Sequence, residues 1–163
     1  MWLNDDTFRC VVASTPLVSI DLVVQNPVGE VLLGRRLNRP AQGFWFVPGG
    51  RIQKSETLDA AFRRLTCSEL GSVFERASSR LLGIYEHFYN DSLFATANSG
   101  IDTHYVVLGY HLMLPVGCPL TLPSEQHSAY RWWSISEIET SATVHSNSRA
   151  YMNALRLHMC EGK

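Results

Sequence analysis

The sequence predicts an α/β or α+β sandwich, in which strands and helices pack around one hydrophobic core. β-rich segments lie on both sides of one clear central helix, and further helical segments follow near the C-terminal end. The chain has 163 residues, of which 45% are hydrophobic and 18% are charged. These values are typical of one ordinary globular domain, so we expect residues 1–163 to form a single domain.

Five segments are rich in β-branched and aromatic residues and are bounded by turn-forming residues, which is the pattern of β-strands. They span residues 17–26, 30–33, 80–89, 103–114 and 128–135. Only a short turn around Pro27, Val28 and Gly29 separates the first two, so we predict that they form a hairpin. The stretch NDSLFATANSGID between the third and the fourth has the composition of a loop.

The clearest helix covers residues 56–70, where apolar residues recur at helical spacing and form one stripe that includes Leu65. Ser55 is its predicted N-cap, and Gly71 is its predicted C-terminal stop. Other predicted helices cover residues 5–13, the stretch ISEIETS and residues 146–158.

Charge and cysteine content exclude several classes of protein. The net charge is −1 and the isoelectric point is about 6.6, so no basic surface for nucleic acid is predicted. The N-terminal residues lack the pattern of a signal peptide, and no apolar run is long enough to cross a membrane. Four scattered cysteines predict neither a disulfide framework nor a zinc site, so we expect a cytoplasmic protein with reduced thiols.

One residue of the central helix conflicts with its surroundings. Glu69 lies one turn after Leu65, near the middle of the apolar stripe, and in the last turn, where the helix dipole disfavours an anion. A bound cation would offset both penalties. The alternatives are a frayed end that exposes the carboxylate to water, or an ion pair with Arg63, Arg64 or Arg51.

The residues before this helix support a cation site. Gly49 and Gly50 follow Pro48, and two glycines indicate either positive φ angles or a close approach of the backbone to another group. An exposed carbonyl in such a loop is a good ligand for a hard cation. The alternative is an ordinary turn between a strand and a helix.

The segment 50–71 resembles the Nudix box, a motif of glycine, glutamate and arginine residues at fixed spacing. Five positions match, namely Gly50, Glu56, Arg64, Glu69 and Gly71. Two positions depart, because Leu65 and Ser68 each replace a glutamate that helps to hold metal ions in the usual Nudix enzymes. The resemblance implies a Nudix fold, with a mixed β-sheet core between helices.

The departures are similar to those of the GDP-mannose mannosyl hydrolase branch, which the chain resembles over most of its length. The stretches NRPAQGFWFVPGGRIQKSETLDAAFRRLT, THYVVLGY, EQHSAYRW and HSNSRAY carry this resemblance. It implies a homodimer with one Mg²⁺ per subunit, for which Mn²⁺ can substitute. It also implies attack of water at the sugar carbon of GDP-mannose or GDP-glucose, which releases GDP and the inverted sugar.

The resemblance also implies roles for particular residues. The metal would be held by the Gly49 carbonyl, Glu69 and Gln126, and His127 would be the general base. An imidazole accepts protons near neutral pH, whereas a histidine outside such a family is more often a surface residue. Arg36, Arg51, His87 and Tyr105 would surround the diphosphate, with Asp21 as a further site residue, and Trp2, Leu3 and Phe8 would bind the nucleotide.

Asp21 interrupts the apolar run VSIDLVV, so a buried carboxylate there needs a partner. We expect this partner to be a cationic site residue or the substrate, and an outward-facing position is the alternative. Glu56 and Arg64 are assigned structural roles, in which Arg64 pairs with Glu56 or Glu69. Two other functions stay open, namely a conventional Nudix pyrophosphohydrolase and a module that binds a nucleotide sugar without catalysis.

Overall fold

The computed structural model describes residues 3–94 and 100–161 of the chain, with side chains as far as residue 158. One mixed β-sheet lies between helices, as the sequence predicts. The strands are β1 Leu17–Gln25, β2 Val31–Arg36, β3 Trp45–Phe46, β4 Gly49–Arg51, β5 Arg80–Tyr89, β6 Thr103–Met113 and β7 His127–Trp133. The α-helices are α1 Asp5–Ser14, α2 Leu58–Leu70, α3 Ile135–Thr140 and α4 Ser146–Glu161, and a 3-10 turn covers Arg76–Ser78.

Strand β1 lies in the middle of the sheet and pairs with β2, β4 and β6. The order is β3-β2-β1-β6-β5, while β4 also pairs with β1 and β7 also pairs with β2. The β1–β6 pair is parallel, and the other strand pairs are antiparallel. The residues of β1 from Ser19 to Gln25 are all buried, because helices cover both faces of the sheet. This explains why β1 reads as an almost continuous apolar run.

Two hydrophobic clusters lie on opposite faces of the sheet. One packs α2, through Phe62, Leu65 and Leu70, against Ile20 and other residues of the same face. The other packs α3 and α4 against the second face, where Val23 and its neighbours lie. The C-terminal end of α2 and the middle of α4 therefore both lie against β1 and its neighbouring strands.

The predicted strands are confirmed with small shifts at their ends. The last predicted strand begins at His127 instead of Ser128, and Ile135 is the first residue of α3. Two short strands, β3 and β4, were not predicted. The Gly49–Arg51 segment was expected to be a loop, but it forms β4, because a residue without a Cβ can lie directly against β1: a Cβ on Gly49 would be 2.4 Å from the Ile20 carbonyl oxygen.

The predicted start of the central helix is wrong by two residues. Ser55 has a φ of +64° and belongs to the preceding turn. The N-cap is Thr57, whose hydroxyl accepts a hydrogen bond from the Ala60 amide at 3.2 Å. Gly71 ends the helix in the left-handed conformation with a φ of +70°, as predicted. Glu56 therefore lies before α2, outside the helix.

Arg64 pairs with Glu56 in the structure. Its Nε and one terminal nitrogen donate to the two carboxylate oxygens at 2.6 and 2.8 Å, and a further bond reaches the Arg51 carbonyl at 2.9 Å. Glu56 also accepts from the Gln53 amide. These bonds hold the segment between β4 and α2, so the structural role predicted for the pair has a geometric basis.

Replacement of Arg64 by glutamine is expected to lower the free energy of unfolding by about 1–2 kcal/mol at pH 7. The hydrogen bonds from Arg64 hold the pKa of Glu56 below its usual value. A group with a depressed pKa contributes stability above its unfolded pKa, and this stability is lost as the pH falls through the folded value. Urea denaturation should therefore give a difference between the two proteins that shrinks below about pH 4.5. A difference that persists unchanged at low pH would contradict the assignment.

Among the helices that the structure describes, none is both long enough and apolar enough to span a membrane. Cys10, Cys67 and Cys118 are free thiols. The side chain of Cys160 lies outside the described residues.

Candidate active site

A cavity of about 270 Å³ opens between the C-terminal half of α2, the strands β1 and β4, and the ends of β5 and β6. Its lining is both polar and apolar, which is typical of a ligand site. Eight of the residues predicted to form the site line this cavity: Asp21, Arg36, Gly49, Arg51, Glu69, His87, Tyr105 and Gln126. Leu65 and Ser68, the two positions where the box lacks its glutamates, line it as well.

Glu69 is buried, with 2% of its surface exposed, so the frayed-end alternative is wrong. Its Oε1 accepts a hydrogen bond from the Gln126 side chain at 3.3 Å, and its Oε2 is buried without a hydrogen-bond partner among the described residues. Arg63 and Arg64 pair with Glu75 and Glu56 instead of Glu69. Burial raises the pKa of Glu69 to about 7, against the opposing charge of Arg36. The carboxylate is thus held in the cavity at a cost that a cation would offset.

The donor set around Glu69 fits a hard cation that takes most of its ligands from a substrate. Among the described residues, no three His, Cys, Asp or Glu side chains are grouped so as to hold a metal ion. Beside α2, the cavity offers the Glu69 carboxylate with its unused oxygen, the Gln126 amide and the backbone at Gly49. The Asp21 carboxylate also lines the cavity. Mg²⁺ is commonly held by one or two carboxylates, with phosphate oxygens and waters as the other ligands, so these residues fit Mg²⁺.

Asp21 faces the cavity from the centre of β1 and is 7% exposed, so the outward-facing alternative is wrong. The Tyr151 hydroxyl on α4 donates to its Oδ2 at 2.7 Å. The sequence analysis expected a cationic residue or the substrate in this place. Burial raises the pKa of Asp21 to about 7, and the Tyr151 hydrogen bond and the Arg36 charge act in the opposite direction.

His87 lies beside Asp21 and contacts two tyrosines. Its Nε2 is 3.4 Å from the Tyr151 hydroxyl, and its Nδ1 is 3.5 Å from the Tyr89 hydroxyl. Burial, with a smaller contribution from His145, lowers the pKa of His87 to about 4. The imidazole is therefore neutral near pH 7, and one of its nitrogens carries no proton.

His127 begins β7 and is 2% exposed, and its ring packs on Gly34, where a Cβ would be 2.4 Å from the ring. Its Nδ1 is 2.9 Å from the Tyr130 hydroxyl, which donates to the Pro123 carbonyl at 2.8 Å. The hydroxyl has only one proton and a carbonyl cannot donate, so Nδ1 carries the ring proton and Nε2 has a lone pair. Nε2 is buried and has no partner among the described residues. Burial, with a smaller effect of Arg36, lowers the pKa of His127 to about 4.

His127 does not line the cavity, although the preceding residue, Gln126, does. The structure thus places the predicted base directly behind the cavity wall. Of the predicted site residues, Leu3 also lies outside the lining of this cavity, and it is 43% exposed. Trp2 lies outside the described residues.

A second cavity of about 160 Å³ adjoins the first, and Arg36, Pro40, Arg51 and Tyr105 line both. Phe8 of α1 lines the second cavity, and the Arg51 guanidinium lies over its ring at 3.9 Å. We refer to these two adjoining cavities together as the trough. Cationic groups occupy its middle, and an aromatic ring lies at one end.

The sequence analysis missed three tyrosines that contact site residues: Tyr89, Tyr130 and Tyr151. Tyr151 and Tyr130 bond to groups that are distant along the chain or across a turn, whereas Tyr89 contacts His87 two residues away in the same strand. The sequence features that pointed to them were the stretches EHFY, EQHSAYRW and HSNSRAY, in which Tyr89, Tyr130 and Tyr151 occur. Residue type alone does not separate them from tyrosines of an ordinary core.

Comparison with known proteins supports the architecture. The chain is 47% identical over 113 residues to the low-salt glycan biosynthesis protein Agl8 of Haloferax volcanii, a match that covers 69% of this chain and 68% of that protein. A MutT protein from Methanosarcina mazei has a similar structure, with a TM-score of 0.67, 21% identity, and coverage of 92% of this chain and 99% of that chain. The MutT NUDIX hydrolase from Burkholderia pseudomallei has a TM-score of 0.67 at 23% identity, with coverage of 87% and 99%.

The two structural matches show the fold, which agrees with the mixed sheet between helices. A family model described as the NUDIX domain matches residues 15–155 of this chain. That range includes the whole sheet, the helix α2 and the main cavity. The chain therefore belongs to the NUDIX family of hydrolases.

Proposed function

We propose that this protein hydrolyses GDP-mannose or GDP-glucose to GDP and the free sugar, by attack of water at the anomeric carbon. The observation that carries the proposal is the charge of the cavity wall. At the two box positions where usual Nudix enzymes have metal-binding glutamates, Leu65 and Ser68 line the cavity, and Glu69 is the box carboxylate that lines it. A site of this kind is poor in groups that activate water on a metal.

Attack at carbon has different requirements from attack at phosphorus. A water that attacks phosphorus is commonly activated by the metal ions themselves. At an anomeric carbon, a base takes the proton of the water while the leaving group departs on the opposite face. GDP leaves as an anion that needs no added proton, so one cation and several donors suffice. Mg²⁺ bound by Glu69, Gln126 and the Gly49 carbonyl would neutralise charge on the diphosphate.

The cationic middle of the trough suits the diphosphate. Arg36 and Arg51 line both cavities, and guanidinium groups match phosphate oxygens with two parallel donors. Tyr105 can donate from the same wall. We propose that the purine lies on Phe8, in the second cavity, with the arginines between it and the sugar. The sugar would then contact Asp21 and His87 in the main cavity.

We propose that His127 is the general base, because its Nε2 has a lone pair and its Nδ1 is held by Tyr130. The ring is neutral at the pH of catalysis, as a base must be before it accepts a proton. Its buried position adds a requirement: the segment before β7 has to shift for Nε2 to reach a water in the cavity. The exposed residues Ser124, Glu125 and Gln126 precede the ring in that segment.

The proposed substrate class is consistent with the name of the Haloferax relative, which refers to glycan biosynthesis. Sugar nucleotides are the activated donors of glycan chemistry. The resemblance to the GDP-mannose mannosyl hydrolase branch further leads us to propose a cytoplasmic homodimer that uses Mg²⁺ or Mn²⁺.

Hydrolysis in ¹⁸O-labelled water tests the proposal directly. The protein is incubated with GDP-mannose and Mg²⁺, and the products are analysed by mass spectrometry. We expect the label in free mannose and unlabelled GDP, because water attacks carbon. Label in GMP or in mannose phosphate would establish attack at phosphorus, the conventional Nudix reaction. Tight binding of GDP-mannose without turnover would favour a non-catalytic module and would overturn the proposal.

A further inference from the structure

We infer that Tyr151 of α4 is a positioning residue of this site, which directs one carboxylate oxygen of Asp21 and leaves the other for a hydroxyl of the substrate. The inference rests on the proposed function for the identity of that hydroxyl, which belongs to the sugar. The geometry that supports it concerns Tyr151, Asp21 and His87 and does not depend on the bound metal.

The fold brings the Tyr151 hydroxyl to Asp21 by means of one glycine. Asp21 on β1 is the register partner of Gly109 on the parallel strand β6. The Tyr151 ring lies over Gly109, where a Cβ would be 2.8 Å from the ring. The ring is fully buried and meets the Tyr85 ring edge-on, with 4.6 Å between centroids. Any residue larger than glycine at position 109 would therefore displace the ring that carries the hydroxyl.

The hydrogen bonds around this hydroxyl have one possible direction when Asp21 is ionised. A carboxylate only accepts, so the single proton of Tyr151 points to Oδ2, at 2.7 Å. His87 is neutral and has one N–H, and its Nε2 is 3.4 Å from the Tyr151 oxygen. This nitrogen must be the donor, because the tyrosine proton is already used. The Nδ1 of His87 then accepts from the Tyr89 hydroxyl at 3.5 Å.

The result is a chain of donors that runs from Tyr89 through His87 and Tyr151 to Asp21. Asp21 Oδ2 is occupied by this chain. Oδ1 lies on the side of β4, 2.9 Å from the position of a Cβ on Gly49, and both residues line the main cavity. With Oδ2 bonded to Tyr151, Oδ1 is the oxygen that the inference assigns to a ligand, and as an acceptor it suits a hydroxyl donor. Without Tyr151, the carboxylate would be free to rotate or to turn both oxygens towards other donors.

Tyr151→Phe removes the hydroxyl and keeps the ring that packs on Gly109. We expect kcat for GDP-mannose hydrolysis to fall about 10- to 100-fold, because a hydrogen bond to a charged group that orients the sugar is lost. The affinity for GDP, which has no sugar, should stay within about 2-fold. In an Asp21→Asn background, the same change should alter kcat less than about 3-fold, because the group that Tyr151 positions has already been changed.

Two further variants separate positioning from packing. Tyr85→Phe removes the hydroxyl of the neighbouring ring, which makes no described contact with Asp21, and it should leave kcat unchanged. Gly109→Ala displaces the Tyr151 ring and should lower kcat as much as Tyr151→Phe does. An equal fall in kcat for Tyr151→Phe in both the wild-type and the Asp21→Asn backgrounds would overturn the inference, as would wild-type kcat in Tyr151→Phe.

A spectroscopic measurement tests the donor chain without any turnover. In ¹⁵N-histidine-labelled protein at pH 9, where Asp21 is ionised, the His87 signals, assigned by comparison with His87→Gln, should show a neutral ring protonated at Nε2. In Tyr151→Phe the Nε2 signal should shift, because its acceptor is gone. A ring protonated at Nδ1 in the wild type would overturn the inference even if the enzyme hydrolyses GDP-mannose. Conversely, an Nε2–H ring in a protein that does not hydrolyse GDP-mannose would refute only the proposed function.

Discussion

Replacement of His127 by glutamine is expected to lower kcat for GDP-mannose hydrolysis by about 10²- to 10⁴-fold, while KM changes less than about 3-fold. The physical reason is that glutamine retains polarity at this position but cannot accept a proton. The ring also does not line the cavity, so its loss should affect binding little. Steady-state kinetics of the two proteins measure both constants. A matched control is His104→Gln, because this ring stacks on Phe88 and lines neither cavity, so kcat should not change.

The pH dependence gives a second test of the same assignment. In the free enzyme, burial holds the pKa of His127 at about 4, so its protonation should depress kcat/KM only near that pH. In the enzyme–substrate complex, the segment before β7 has to shift, which exposes the ring and raises its pKa towards that of a free imidazole. The acid limb of kcat that depends on His127 should therefore lie at a higher pH than the limb of kcat/KM. Coincident limbs would contradict the required shift, and an active His127→Gln variant would refute the role as a base.

Replacement of Glu69 by glutamine is expected to raise the Mg²⁺ concentration for half-maximal activity at least about 100-fold, because the carboxylate with the unused buried oxygen is lost. Without metal, the same substitution should stabilise the folded protein at high pH. The folded pKa of Glu69 is raised to about 7, so the stability it contributes is present below its unfolded pKa and is lost as the pH rises through about 7. At pH 8 the variant should therefore be more stable than the wild type by about 1–3 kcal/mol.

Thermal denaturation with and without Mg²⁺ measures both effects in one experiment. Mg²⁺ should raise the Tm of the wild type, because a ligand that binds only the folded state stabilises it, and should have little effect on Glu69→Gln. Glu56→Gln is the matched control: it removes a box carboxylate that pairs with Arg64 and should lower stability while it keeps the response to Mg²⁺. Loss of that response in Glu56→Gln, or its retention in Glu69→Gln, would show that the metal is held elsewhere.

Several features of the molecule follow from local rules that a sequence displays. The long strands β1, β5 and β6 are continuous runs of β-forming residues, and their observed ends differ little from the predicted ones. Gly71 ends α2 because few other residues adopt its left-handed conformation. The burial of Glu69 follows from the phase of the helix, since a residue one turn after Leu65 must lie on the same face.

Other features depend on parts of the chain that are distant from each other. Ser55 and Thr57 are both suitable N-caps, and the positive φ of Ser55 in the turn before α2 selects Thr57. The strand β4 has three residues, too few for any periodicity, and it exists because Gly49 can lie directly against β1. A sequence pattern of this length predicts a loop equally well.

The hydrogen-bond partners within the site show most clearly which features follow from local sequence and which depend on tertiary packing. That Asp21 needs a partner is evident from the apolar run around it, but Tyr151 lies 130 residues further along the chain. The two meet because β1 and β6 pair in parallel and Gly109 leaves space for the ring of α4. The residue types at the site were thus readable from helix phase, strand composition and family motifs. Which groups form hydrogen bonds with each other was determined by packing. A hydrogen bond depends on a separation of about 3 Å in space and not on separation along the chain.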